Sequence, residues 1–186
     1  MPKLILGLVG PAGAGKGTVA ERLKKRYGAD SRIFSDMMRN VLHCIGLESS
    51  RDHLIRLSVA LRGAFGQDVF AKAMERQVAE SSAEIVIVDG IRRTEDIQHL
   101  EKLPQFHLIE VHAPARIRFE RIKKRGEKAG ETEMSWELFQ KTEQRETERT
   151  VAAVAQKAEF RIENGGDRSQ LEEEITRCMT PLWKSV

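Results

Sequence analysis

Between Gly10 and Thr18 the chain reads GPAGAGKGT, which puts four of its 14 glycines and one lysine within nine residues. The apolar run LILGLV, Leu4 to Val9, precedes it, and Val19, Ala20, Leu23 and Tyr27 recur after it at helical spacing. Gly10, Gly15 and Lys16 meet the spacing G-x-x-x-x-G-K. Glycines so placed turn successive backbone N–H groups toward a phosphate chain, and a helix N-terminus adds partial positive charge. The spacing therefore predicts a phosphate-binding loop at a strand-to-helix turn, lined by Gly10, Ala12, Gly13, Ala14, Gly15, Lys16, Gly17 and Thr18. The hydroxyl of the general motif arrives one place late, at Thr18, because Gly17 follows the lysine.

Two further sets of residues fit phosphate chemistry. Asp89 closes the apolar run EIVIV, Glu84 to Val88, and the carboxyl end of a buried strand is where open α/β sheets place their ligands. Its expected task is holding Mg²⁺ through water. Arg118, Arg121 and Arg125 fall on one edge of a helix, beside a stripe of Ala115, Phe119 and Ile122. Forked guanidiniums suit a migrating phosphoryl group, although arginines also solvate surface helices.

Positioning these groups requires alternating strands and helices. Strands are expected at Leu4–Val9, Arg32–Phe34, Glu84–Val88, Phe106–Val111 and Glu159–Ile162, separated by helical patterns of ten residues or more. The fold class is α/β: a five-stranded parallel sheet with helices on both faces, its apolar strands central and the short mixed runs RIF and FRIE nearer the edges. Residues 1–186 suit one domain carrying two looser regions. The first, about 36–82, is a helical insertion with a stripe of Leu54, Leu57, Leu61 and Phe65. In the second, about 126–150, no large apolar residue lies between Phe139 and Val151, which predicts a protruding lid-like arm or a solvated helix.

Bulk properties narrow the classes. The chain of 186 residues has a net charge of +3, 40% hydrophobic and 32% charged residues, and no apolar run near the ~20 residues of a membrane helix. It carries no strong nucleic-acid signal. Cys44 and Cys178 lie among apolar residues with no CxxC spacing, which suits buried reduced thiols; with strand residues starting at Leu4, a cytoplasmic location is expected. The five histidines lack metal-ligand spacing, and Met37 and Met38 suit packing.

The stretch GKGT resembles the loop of nucleoside monophosphate kinases, adenylate kinases above all, and the resemblance extends to about Gly165. It implies ATP and Mg²⁺, with Thr18 reaching a nucleotide phosphate and the metal. DGIRRT, Asp89 to Thr94, is similar to the family's DGFPRT, so Arg93 would grip the acceptor's phosphate. FSDMMR, Phe34 to Arg39, is similar to TGDLLR, which brings in Asp36 and Arg39 as acceptor-binding residues; Asp36 serves equally well as a helix cap. ERIKKR is similar to DRIVGR, so Arg121 and Arg125 would contact the nucleotide, and Arg145 would close on it. ENGGD would turn under the adenine ring through backbone contacts of Asn164 and Gly165, although such a turn also explains itself. The implied activity is transfer of the γ-phosphoryl group of ATP to a nucleoside or deoxynucleoside monophosphate. The order of motifs also resembles dephospho-coenzyme A kinase-related proteins, in which Asp36 would serve as base for a ribose hydroxyl, and adenylate kinase-like ATPases that act in assembly. No N-K-x-D follows a strand, which argues against a GTPase.

Overall fold

The structure is a computed structural model and describes residues 1–126 and 131–184. Five strands, β1 (Leu4–Val9), β2 (Asp30–Ile33), β3 (Ile85–Asp89), β4 (Phe106–His112) and β5 (Phe160–Glu163), form one all-parallel sheet in the order β2-β3-β1-β4-β5. The most continuously apolar strands, β1 and β3, occupy the interior and pair Leu4 with Ile85 through Gly7 with Val88. The mixed runs form the edges, as their composition predicts. The second strand lies earlier than expected, because Phe34 opens a helix instead of closing the strand.

Strand side chains alternate between faces, so β1 divides the core in two. Leu4, Leu6 and Leu8 meet Val19 and Leu23 of α1 (Lys16–Tyr27) and Ile175 and Met179 of α9 (Arg168–Lys184). Ile5 and Val9 meet the other face, with Phe34 of α2 (Phe34–Cys44), Phe70 and Met74 of α4 (Val69–Ala79), and Val151 and Val154 of α8 (Glu146–Ala155). Burying each such side chain stabilises the fold by ~1.5–3 kcal/mol. Between α2 and α4 runs α3 (Arg51–Phe65), none of whose residues is fully buried; Phe65, expected on its inner stripe, is exposed. The connections leaving β1 and β4 run to opposite edges of the sheet, which opens a crevice at the carboxyl ends of the strands, where such sheets bind ligands.

The region 126–150 differs from a single unsupported arm. Residues 127–130 of that segment lie outside the described residues. Beyond them, α7 (Trp136–Glu143) and α8 are separate helices, each anchored at its apolar end. Phe139 and Trp136 stack at 5.3 Å and pack edge-on against Phe119 of α6 (Ala115–Arg125), while Val151 and Val154 bind α8 to the sheet. The polar stretch in the sequence is thus the junction between two docked helices.

The cysteines divide as well: Cys178 is buried, and its thiol is pushed up to about 11 by desolvation, whereas Cys44 is exposed, contrary to expectation. Three histidines contact carboxylates, His99 with Asp68, His107 with Glu159 and His112 with Glu163. Among the described residues no cluster of His, Cys, Asp and Glu could hold a metal by itself, and no helix is long and apolar enough to cross a membrane.

Candidate active site

The loop from Gly10 to Gly15 leaves β1 and enters α1 at Lys16, and its backbone needs glycine where φ is positive. Gly10, Gly13 and Gly15 have φ of 148°, 76° and 93°. A Cβ on Gly10 would overlap the carbonyl oxygen of Val111, one on Gly13 would come within 2.8 Å of the Arg118 carbonyl oxygen, and one on Gly15 would strike the Asn164 amide. Gly17 is different: it lies inside α1 with ordinary φ, and a Cβ there would meet open space. These glycines let the loop wind closely between β4, α6 and the turn after β5.

Lys16 donates from Nζ to the carbonyl oxygens of Gly10 at 2.7 Å and Pro11 at 3.3 Å. Its ammonium pKa is lowered, chiefly by desolvation and further by the charges of Arg92 and Arg125, while Asp89 and Glu148 act to raise it. The charges that act on this lysine come from four elements: a carboxylate from β3, a guanidinium from the loop after it, one from the end of α6, and a carboxylate from the first turn of α8. Asp89, at the end of β3, accepts the Gly90 N–H at 2.6 Å on one oxygen. Thr18 is exposed on the first turn of α1.

Arg118, Arg121 and Arg125, three of the four arginines of α6, separate by task. Arg118 is not free for a ligand: it is buried, its Nε donates to the Ala113 carbonyl at 3.0 Å, Nη1 to the Ala12 carbonyl at 3.3 Å, and its two Nη atoms clamp Glu143 of α7. It holds the phosphate loop and α7 in place. Arg121, one turn on, has Nη1 buried without a partner, 3.7 Å from the position a Gly15 Cβ would take, and burial lowers its pKa. A guanidinium N–H orphaned over a glycine loop needs an acceptor, and a phosphate oxygen is the fitting one. Arg125 pairs with Glu131 at 3.1 Å. Asn164 braces the loop with its side chain, donating to the Ala14 carbonyl at 2.7 Å, so its role is not confined to backbone contacts; Gly165 packs against Pro114. Arg145 is exposed and stands as the N-cap residue of α8.

Of the residues expected to bind the acceptor, Asp36 and Arg39 are exposed and bind each other at 2.7 Å, with Arg39 also on Ser35 Oγ at 2.6 Å. Arg92 and Arg93 are exposed at the entrance to α5 (Thr94–Ile97). Their loop hangs on Asp96, which is buried: its carboxylate accepts the N–H groups of both arginines at 3.0 Å and pairs with Arg62 of α3 at 3.0 Å. Nε and Nη1 of Arg62 are buried without partners, and its guanidinium lies 4.6 Å from the Phe70 ring centre. Sequence reasoning did not single out Arg62, Asp96, Arg92 or Glu148. Arg62 and Glu148 sit in helical stretches with no motif around them; Arg92 and Asp96 flank the recognised arginine, and a carboxylate three residues beyond it is the capping signal that could have found Asp96.

A family model described as an AAA domain matches residues 9–140. A UPF0200 protein of Methanocaldococcus jannaschii is 31% identical over 163 residues, spanning 87% of this chain and 81% of that one. Among solved structures, a shikimate kinase from Bacteroides thetaiotaomicron superposes with a TM-score of 0.64 at 16% identity, covering 97% of this chain and 98% of that one. A gluconokinase from Sinorhizobium meliloti does so with a TM-score of 0.59 at 14% identity, covering 98% and 97%. The fold is that of P-loop kinases.

Proposed function

We propose that this chain, which belongs to the family described as an AAA domain and to the UPF0200 proteins, is a phosphotransferase that moves the γ-phosphoryl group of ATP to a small phosphorylated acceptor, a nucleoside or deoxynucleoside monophosphate. The observation that carries this reading is the glycine loop wound around Lys16 Nζ, with an orphaned Arg121 N–H over Gly15. Phosphoryl transfer asks the protein for position and charge rather than covalent chemistry.

Loop N–H groups and Lys16 would bind the β- and γ-phosphates, with Lys16 exchanging its two carbonyl partners for phosphate oxygens. Arg121 would hold the donor's phosphates, and Arg125 and Arg145 the charge that develops during transfer. Thr18 and Asp89 would hold a magnesium ion, which would supply neutralisation of phosphate charge. Arg92 and Arg93, aligned through Asp96 and Arg62, form a cationic edge for the acceptor's phosphate, with Asp36 and Arg39 across the β2 end. The helices of residues 36–82 would close over the acceptor, and the segment 126–150 would serve as the lid that keeps water from the γ-phosphate. The deciding experiment incubates the protein with ATP and Mg²⁺ and a panel of nucleoside monophosphates, deoxynucleoside monophosphates and dephospho-coenzyme A, and measures ADP formed per acceptor. A monophosphate should stimulate ADP formation well above the acceptor-free rate. Preference for dephospho-coenzyme A would move the acceptor group to a ribose hydroxyl, and hydrolysis indifferent to every acceptor would leave a nucleotide-switched ATPase.

A further inference from the structure

One carboxylate oxygen beside the phosphate loop lacks any hydrogen-bond partner although it is buried: Oε2 of Glu148. Glu148 occupies the first turn of α8, and Val151 and Val154, in the next turns, are fully packed against the sheet, so its backbone is fixed relative to β1. It lines a groove of about 620 Å³ that reaches Pro11 of the loop. A carboxylate oxygen only accepts, and burying it unpaired costs free energy, so it needs a donor or a cation. Three of the cations of this region are already engaged: Lys16 on the Gly10 and Pro11 carbonyls, Arg118 on Glu143, and Arg125 on Glu131.

A second acid beside a site that gathers phosphates would repel them unless a divalent cation stood between. Mg²⁺ suits the position: it retains several waters and is bound through one or two carboxylates together with substrate phosphates. Asp89 and Glu148 come from different elements, the end of β3 and the start of α8, their charges both act on Lys16, and Asp89 keeps one oxygen free of the Gly90 N–H. We propose that Glu148 is the second carboxylate of the magnesium site, binding the ion's waters from the α8 side while Asp89 binds them from the β3 side. This rests on the MgATP reading above. It gives the metal a contact on a helix docked into the core, and it makes the same carboxylate an obstacle to nucleotide that arrives without metal.

Calorimetric titration of ADP into wild type and Glu148→Gln, across a Mg²⁺ series and in EDTA, tests both halves of this statement. Wild type should bind ADP more tightly with Mg²⁺. In Glu148→Gln the Mg²⁺ concentration needed for half of that gain should rise about 10- to 100-fold, as for lost outer-shell partners of a metal, while binding in EDTA stays equal or tightens. An unchanged Mg²⁺ dependence overturns the inference and leaves the kinase reading standing; a wild type that binds no ADP with Mg²⁺ overturns both. If Glu148→Gln unfolds, Glu148→Asp, which keeps the charge but withdraws it by one methylene, should show a smaller shift in the same direction, and a wild-type Mg²⁺ dependence there also overturns the inference.

Discussion

Removal of the Asp96 carboxylate probes how the proposed acceptor edge is held. In Asp96→Ala the N–H groups of Arg92 and Arg93 lose their shared acceptor, and the Arg62 guanidinium, with only 12% of its side chain exposed, loses its counter-charge. Breaking a buried ion pair on one side costs about 3–5 kcal/mol. For a domain of this size each kcal/mol moves the Tm by roughly 2–4 °C, so a fall of about 6–20 °C is expected. Arg62→Met should cost less, because it removes the charge together with two unpartnered N–H groups and leaves an apolar chain against Phe70. The double variant should therefore be more stable than the sum of the single losses implies, with a coupling of about 1 kcal/mol or more in a urea-unfolding cycle. At permissive temperature Asp96→Ala should raise the acceptor KM and spare that of ATP. A Tm within about 2 °C of wild type, or strictly additive losses, would refute the reasoning.

Lys16→Ala should lower the rate by orders of magnitude in a protein that still folds, since the lysine's partners are two loop carbonyls rather than the core; near-normal turnover would end the kinase reading. Arg93→Ala should raise the acceptor KM by one to two orders of magnitude, roughly 1.5–3 kcal/mol for a charge-assisted contact, and Arg92→Ala, on the same edge, should raise it as well. Gly10→Ala should destabilise the fold by about 1–3 kcal/mol through its positive φ and the clash with Val111, while Gly17→Ala, in open space within a helix, should raise the Tm slightly, and denaturation curves of the two separate backbone strain from helix propensity. Hydrogen bonds from His99 first and then Lys72 lower the Asp68 carboxyl from 3.8 to about 2, so its contribution to stability is present above the unfolded value and lost as pH falls toward 2. Asp68→Asn should accordingly flatten the loss of Tm between pH 4 and 2.

The sheet could be read because strand-length apolar runs leave little choice: LILGLV and IVIVD had to be central, and the loop between β1 and α1 announces itself by glycines whose φ values only glycine adopts readily. What escaped reading was tertiary. Spacing placed Arg118 in a row with Arg121 and Arg125, yet nothing in the local pattern says that a residue 25 positions away, Glu143, consumes it. The stretch between Phe139 and Val151 looked unsupported because its anchors lie at its two ends, on partners remote in sequence. Glu148 and Arg62 became visible only once helices from different parts of the chain enclosed them, since an orphaned atom is a property of packing rather than of sequence.

Arg118 joins, in one side chain, the carbonyl of Ala12 in the phosphate loop and the carboxylate of Glu143 in α7. Two surfaces that share a strut cannot be thermodynamically independent. Whatever phosphates do to the geometry of Ala12 alters the seating of α7, and by reciprocity any factor that tightens or loosens α7 must change the affinity for phosphates by the same ratio. A contact on the outer side of α7, at the exposed Leu138, would therefore act as an effector of the loop without touching it. Part of that coupling would pass through one guanidinium and part through the contact of Ala12 with the cluster of Phe119, Ile122 and Phe139, so Arg118→Met should weaken the report of each site on the other without abolishing it.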